Sequence, residues 1–118
     1  ALVLGTTVEH TINKVEVFGP IASVIKVSGF DEALEVANSS TMNLSAAIFT
    51  RDLACADHFR RRSKAGMIMV NLPTAGVDHN APFGGAGESS YGPREQAGGA
   101  REFFTESRTH YVAPGTPD

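Results

Sequence analysis

The chain has 118 residues, enough for one domain and too few for two independent cores. Its 42% hydrophobic and 19% charged residues and its net charge of −3 exclude a charge-rich disordered chain and argue against a nucleic-acid partner. No apolar run reaches the roughly 18 residues of a membrane span, and the single cysteine excludes an internal disulfide, so we expect a cytoplasmic protein without a membrane partner.

The first predicted elements are a strand and a helix. Residues 21–27, after the Gly19-Pro20 break, are nearly all apolar, which predicts a strand buried on both faces. Asp31 offers an N-cap side chain, and the apolar spacing after it predicts a helix over 31–38. A second short strand is predicted over 46–49.

A longer helix follows, with Thr50 as its cap, Lys64 as its last residue and Gly66 as a C′ glycine tolerant of positive φ. Its buried stripe consists of apolar residues at helical spacing, namely Leu53, Ala56 and Phe59. The apolar run over 67–70 is too short for a helix and predicts a third buried strand.

The resulting β-α-β-α-β order predicts an α/β fold whose parallel strands form the middle of a three-layer sandwich. The sheet is incomplete, however, because parallel sheets need cover on both faces and the chain offers only two or three helices. We therefore expect the chain either to be a piece of something larger or to find its missing layers in a partner.

The last third of the chain is organised differently. Residues 72–92 show no periodicity, and compact domains usually keep such long loops for function. A helix is predicted over 94–104 with Pro93 at its first position, and Gly98-Gly99 inside it indicates tight packing. A terminal strand over 105–112 and a disordered tail over 113–118 follow.

Several chemical hypotheses are weak. Cys55 lies in a helix without a base or an electropositive end beside it, so a helix filler is favoured over a nucleophile. The histidines lack metal-ligand spacing, which predicts no metal site. Asp78 and His79 with the serines at 89–90 allow a hydrolase triad only on paper, because no Gly-x-Ser-x-Gly elbow is present.

Two further patterns favour structural roles. Gly85-Ala86-Gly87 lacks the third glycine of a phosphate loop, so a closely packed turn is favoured. The basic residues 60–64 lie at a helix end, where the dipole stabilises positive charge. Glu16, next to Phe18, directly precedes a buried strand and is equally consistent with a solvated strand-edge charge.

Two strings together are specific: Glu16-Val17-Phe18-Gly19-Pro20, and Pro82-Phe83-Gly84-Gly85 with Ser89-Ser90-Tyr91-Gly92-Pro93-Arg94-Glu95-Gln96. On these motifs the chain resembles the C-terminal part of the NAD(P)-dependent aldehyde dehydrogenase superfamily. Asn71-Leu72-Pro73-Thr74-Ala75-Gly76-Val77-Asp78 is most similar to the α-ketoglutaric (2,5-dioxovalerate) semialdehyde dehydrogenases.

The resemblance implies oxidation of a small-molecule aldehyde with NAD or NADP as cofactor. In such enzymes the residue matching Glu16 hydrogen-bonds the ribose nearest the nicotinamide, and the one matching Phe18 packs beside it. Pro82 and Phe83 would line the aldehyde pocket. Residues 1–104 would belong to the catalytic domain, and strand 105–112 would join a neighbouring subunit in a homo-oligomer.

The departures from the family matter as much. The family's nucleophilic cysteine and general-base glutamate precede these motifs, and nothing in this chain supplies them; Cys55 is not that cysteine. We therefore expect no catalytic residue here and a chain that is inactive without the remainder of the enzyme. The alternative is a non-catalytic association module that pairs by strand addition.

Overall fold

The computed structural model describes residues 1–115 and contains both helices and strands. In chain order the elements are β1 (Leu2–Thr6), a 3-10 turn (Thr11–Asn13), β2 (Ala22–Ile25), α1 (Phe30–Ala37), β3 (Met42–Asn43), β4 (Ser45–Ile48), α2 (Leu53–Arg62), β5 (Met67–Val70), β6 (Ala86–Gly87) and α3 (Gly99–Phe104). The prediction of a mixed α/β fold is therefore confirmed.

The strands form pairs instead of one sheet. β1 lies parallel to β2, β4 lies parallel to β5, and β3 lies antiparallel to β6. The β4–α2–β5 unit is the predicted parallel crossover. The prediction that the three strands of the β-α-β-α-β unit share one sheet is wrong for residues 1–115. β2 pairs with β1, a strand that the sequence pattern does not predict, and not with β4 or β5.

Helix α1 begins one residue before its predicted start. Gly29 is the N-cap, so Asp31 lies in the first turn and is not the cap. Glu32 in the same turn reaches back to the residue before the cap, since its Oε2 accepts from the backbone N–H and the hydroxyl of Ser28 at 2.7 and 2.6 Å. These hydrogen bonds, the hydroxyl's first, lower the pKa of the Glu32 carboxyl because they favour its charged form.

Helix α2 is capped by Asp52, whose Oδ1 accepts from the backbone N–H groups of Ala54 and Cys55 at 2.7 and 3.3 Å. Thr50, the predicted cap, supports this residue from outside, because its hydroxyl oxygen accepts from the Asp52 N–H at 3.0 Å. At the other end, Arg60 and Arg61 each bond the Asp57 carboxylate at 2.7 Å. The basic residues thus lie on an exposed helix end, as predicted.

The buried core of residues 1–115 is small. Leu34 and Phe59 are its buried hydrophobic side chains, so Phe59 is predicted correctly. Leu53 is 86% exposed and Val24 of β2 is also exposed, which contradicts the predicted burial of both. The reason is that nothing in the described chain covers these faces.

The dimensions of the structure also indicate that the described residues do not form a compact domain. The radius of gyration is 20.6 Å and the extents are 82 × 33 × 23 Å, whereas a compact domain of this length has a radius of about 13.5 Å.

No helix within residues 1–115 has the length and apolar character needed to cross a bilayer.

The C-terminal helix is shorter than predicted. Gln96 and Ala97 take φ values of 64° and 45°, which interrupts a helix, so α3 begins only at Gly99 and Pro93 is not its first residue. The tight packing predicted at Gly98-Gly99 is confirmed at Gly99, where a Cβ would lie 2.4 Å from the Arg94 carbonyl oxygen, and is wrong at Gly98, where a Cβ would meet nothing within 4 Å.

Beyond α3, residues 105–112 have no strand partner in the described part of the chain. Their pairing with a second subunit stays a prediction. The predicted tail over 113–118 lies partly outside the described residues, at positions 116–118.

Candidate functional site

The segment from Glu16 to Phe18 connects two anchored points. Before it, the Val15 N–H donates to the Thr11 carbonyl at 2.9 Å; after it, the Ala22 N–H donates to the Ala1 carbonyl at 2.9 Å. Between them Phe18 is 92% exposed, and Glu16 is exposed without a hydrogen bond or ion pair to residues 1–115. Both side chains are thus available to a group outside this chain.

A second region, the glycine turn (residues 83–87), is held at its beginning by a backbone bridge. The Phe83 N–H donates to the Glu95 carbonyl at 2.6 Å, and the Glu95 N–H donates back to the Phe83 carbonyl at 2.8 Å. The bridge fixes the backbone of Phe83 against the segment that follows Pro93.

Side chains hold the middle of the glycine turn. The Gly85 N–H donates to the Ser90 Oγ at 2.6 Å, and the Arg94 guanidinium donates to the Gly85 carbonyl. Both backbone polar groups of this buried glycine are therefore satisfied within the chain.

The glycine turn also lies directly against the start of β5. A Cβ on Gly66 would lie 2.3 Å from the Gly84 carbonyl oxygen and 2.6 Å from the Gly85 Cα. Gly66 is therefore required for close backbone approach, and the positive φ predicted for it is not observed.

The end of the turn is bound to the residue before β3. The Glu88 N–H donates to the Thr41 carbonyl at 3.0 Å, and the Thr41 hydroxyl donates to the Glu88 carboxylate at 2.8 Å. A Cβ on Gly87 would lie 2.4 Å from the same Thr41 carbonyl. The clustered glycines thus form a closely packed turn, as predicted.

A groove of about 550 Å³ lies beside the glycine turn. Its wall is mainly apolar and comes from β5 and the following loop, including Met67, Met69, Leu72, Val77 and Pro82. Pro82 is therefore a wall residue of this groove, and its role in an aldehyde pocket stays a prediction. The half-buried Phe83 is not among the lining residues, although it directly follows Pro82.

The groove carries one carboxylate, that of Asp78. Its Oδ1 accepts from the backbone N–H and the side-chain amide of Asn80 at 2.8 and 3.1 Å. The His79 Nδ1 lies 3.8 Å from that oxygen, too far for a hydrogen bond. With the Ser90 oxygen engaged by Gly85, these residues do not assemble a hydrolase triad.

Cys55 lies in the first turn of α2, so the expectation that no electropositive helix end lies beside it is wrong. Partial burial raises the pKa of its thiol, and the Asp52 carboxylate raises it further because a thiolate would repel it. The thiol stays protonated, which supports the prediction of a helix filler.

The structure therefore brings some of the expected residues together and not others. Pro82 and Phe83 adjoin one groove, whereas no hydrogen bond, ion pair or strand pairing within residues 1–115 joins Glu16 or Phe18 to Phe83. Sequence reasoning assigns no role to Ser90 and Arg94. A serine and an arginine just after a glycine cluster are the signal that could have found them.

The model of the aldehyde dehydrogenase family matches residues 1–110. An α-ketoglutaric semialdehyde dehydrogenase of Bacillus subtilis is 43% identical over 108 residues, which are 92% of this chain and 22% of the relative. An α-ketoglutarate semialdehyde dehydrogenase of Haloferax volcanii is 44% identical over 97 residues, 81% of this chain and 20% of the relative.

Among solved structures, the chain is similar to the AldA indole-3-acetaldehyde dehydrogenase of P. syringae, a cysteine-to-alanine mutant in complex with NAD⁺ and IAA. The TM-score is 0.82 and the identity 33%, and the match covers 89% of this chain and 21% of that one. The chain thus spans about a fifth of the length of the proteins it matches.

Proposed function

We propose, from the premise that this chain belongs to the aldehyde dehydrogenase family, that it is the C-terminal part of an NAD(P)-dependent semialdehyde dehydrogenase. In that role it contributes one contact to the cofactor ribose and one wall of the aldehyde pocket, and it is inactive alone. Residues 1–104 then belong to the catalytic domain of a cytoplasmic enzyme and complete a three-layer sandwich.

The cofactor contact is supported by the state of Glu16. A carboxylate that has no partner within residues 1–115 retains its acceptor capacity, and one carboxylate accepts from two neighbouring hydroxyls, the arrangement that a ribose presents. Phe18 is 92% exposed beside it and offers an apolar surface to the adjoining ring. These two residues fit the ribose end of NAD or NADP.

The single observation that carries the pocket assignment is the groove beside the glycine turn. Its wall is apolar, as most small-molecule pockets are, and Pro82 lies in it. Gly66, Ser90 and Arg94 fix the turn next to it, so this wall is preformed before any partner arrives.

The chemistry sets the limit of the proposal. The aldehyde loses two electrons, which bound NAD or NADP accepts as hydride, and water supplies the second oxygen of the acid. A thiolate nucleophile and a general base are needed as well. Cys55 supplies no thiolate, because burial and the Asp52 carboxylate raise its pKa. The chain therefore positions cofactor and substrate and leaves bond making to other residues.

Activity assays test the proposal. The purified chain with NAD or NADP and α-ketoglutaric semialdehyde should produce no reduced nicotinamide. A hybrid enzyme, in which this chain replaces the matching segment of the B. subtilis relative, should produce it. Turnover by the chain alone that is lost in Cys55→Ser would contradict the proposal, and so would a folded but inactive hybrid.

The roles of Glu16 and Phe18 have a separate test. In the hybrid, Glu16→Gln should raise the KM for NAD about tenfold, the effect of one lost hydrogen bond to a charged group, and leave the KM for the aldehyde unchanged. Glu35→Gln, an exposed glutamate on α1, is the matched control. Equal effects of the two substitutions would remove Glu16 from the cofactor site.

The second candidate is an association module. It is favoured by the extended backbone at Thr105 and by Tyr111 and Val112, both more than 90% exposed in the segment without a strand partner. Gel filtration and sedimentation of the chain alone distinguish the two: an association module forms a defined oligomer, whereas the proposed enzyme part aggregates or is partly unfolded. A well-behaved monomer contradicts the association module.

A further inference from the structure

Arg94 lies outside the groove but bonds to the turn that borders it. Its half-buried guanidinium donates to the carbonyl of Gly85, two residues after Phe83. Gly85 itself is buried, and its bond to Arg94 is partly shielded from water. A charged donor to a buried carbonyl is among the stronger hydrogen bonds that a protein makes.

The side chain of Arg94 also packs on the turn. A Cβ on Gly84 would lie 2.8 Å from the Arg94 Nη1 and 3.0 Å from its Cδ, which shows how closely the side chain follows the glycine backbone. Arg94 is fixed at the other end as well, because its carbonyl lies against Gly99 at the start of α3. Arg94 therefore contacts two segments of the backbone, the glycine turn through its side chain and the start of α3 through its carbonyl.

The neighbouring contacts show what Arg94 adds. The backbone bridge to Glu95 holds Phe83, and Ser90 accepts from the N–H of Gly85, but the described residues provide no other partner for the Gly85 carbonyl. Without the guanidinium this carbonyl loses its partner, which weakens the hold on the turn that follows Pro82 and Phe83.

We propose that Arg94 is a positioning residue that holds Pro82, in the wall of the aldehyde pocket, in place through its bond to the Gly85 carbonyl in the adjoining glycine turn. The inference rests on the proposed function, because it assigns this wall to the substrate. Arg94 touches neither the aldehyde nor the cofactor, so its effect is expected on aldehyde binding and not on cofactor binding.

The hybrid enzyme provides the test. Arg94→Gln should raise the KM for the semialdehyde about tenfold and leave the KM for NAD within about twofold. Arg94→Lys keeps the charge but not the planar guanidinium, and should restore part of the loss. Arg51→Gln is the control, since Arg51 is exposed and makes no hydrogen bond or ion pair to residues 1–115.

A second readout does not depend on turnover. Amide hydrogen exchange over residues 82–87 of the folded hybrid should become about tenfold faster in Arg94→Gln and stay unchanged in Arg51→Gln. A lower unfolding midpoint with an unchanged KM for the aldehyde would assign Arg94 a structural role only and overturn the inference. Equal rises in both KM values would overturn it too.

The two proposals fail in different ways. A folded but inactive unsubstituted hybrid contradicts the proposed function, and the role of Arg94 in the aldehyde pocket falls with it. The exchange of residues 82–87 then still decides whether Arg94 holds the turn. An active hybrid in which Arg94→Gln changes neither the KM nor the exchange contradicts the inference alone.

Discussion

Two phenylalanines show how differently two regions of the molecule are packed. Phe59 lies on α2, the helix that packs against β5, and is 5% exposed. Phe18 lies just before β2 and is 92% exposed. The first belongs to the unit in which β4 pairs with β5 and α2 packs against β5, whereas the second belongs to a segment that no other part of residues 1–115 covers.

The difference shows which part of the site is built locally. The groove and the glycine turn depend on β5, Ser90 and Arg94, all within residues 1–115, so this half is formed by the chain itself. The Glu16–Phe18 half has anchored ends but no packing. Parallel strands need cover on both faces, and β2 lacks it here. This half therefore requires other residues to complete it.

The largest expected effect is a loss of stability on replacing Phe59, which tests whether its region is the better packed of the two. In the hybrid enzyme, Phe59→Ala should lower the free energy of unfolding by about 3–4 kcal/mol, because it removes a buried ring and leaves a cavity. Urea denaturation measures it, with Phe30→Ala, a half-buried ring, as a control of smaller effect. A loss below about 1 kcal/mol would mean that this half is no better packed than the exposed one.

The next effect tests the close approach beneath the glycine turn. Gly66→Ala should destabilise the hybrid by about 1–3 kcal/mol, since the new methyl group meets the backbone of Gly84 and Gly85, which cannot move like a side chain. Gly98→Ala is the control, because a Cβ there meets nothing within 4 Å and its φ is −63°. Equal unfolding free energies for the two variants would contradict the packing described.

The sequence predicts local elements well and their partners poorly. The α2 helix and β5 follow from apolar spacing and from breaks in it, both of which are local signals. Gly66 is predicted to be required as a helix C′ residue, whereas the structure requires it for close approach to Gly84. No sequence pattern shows that Gly84 lies against it. Burial of Val24 and Leu53 is predicted from their apolar character, which does not reveal that they are exposed in the described part of the chain.

The residues of the candidate site also differ in how far the sequence predicts them. Glu16, Phe18, Pro82 and Phe83 are assigned through short family strings, and only Pro82 lies in the wall of a groove formed within the chain. Ser90 and Arg94 escape assignment because their role depends on a turn five to nine residues away in sequence, whose backbone groups they satisfy.

A smaller effect concerns the cap of α2 and its pH dependence. Bonds from the Ala54 and Cys55 amides lower the pKa of the Asp52 carboxyl. Its charge therefore stabilises the folded chain above the unfolded pKa, and this contribution is lost as the pH falls through the lower folded value. Asp52→Asn keeps an acceptor at the cap and removes the charge.

Urea midpoints of the hybrid check this. The urea midpoint of the unsubstituted hybrid should exceed that of Asp52→Asn by a small margin at about pH 6, and the margin should shrink as the pH is lowered below the ordinary carboxyl range of about 4. Asp31→Asn, where the acid caps no helix, serves as the control for loss of charge. A margin that grows as the pH falls would mean that Asp52 does not favour its charged form in the folded state.

The smallest effect is chemical and is read at Cys55. Partial burial and then the Asp52 carboxylate raise the pKa of this thiol, so the thiolate is scarce near neutral pH. Asp52→Asn removes the second cause, lowers the pKa and should increase the rate of alkylation by iodoacetamide at a fixed pH below that pKa. Glu35→Gln, a loss of charge elsewhere, should leave the rate unchanged. If Asp52→Asn slows alkylation instead, the Asp52 carboxylate acts as a base toward the thiol. The prediction that Cys55 is not a nucleophile would then be contradicted.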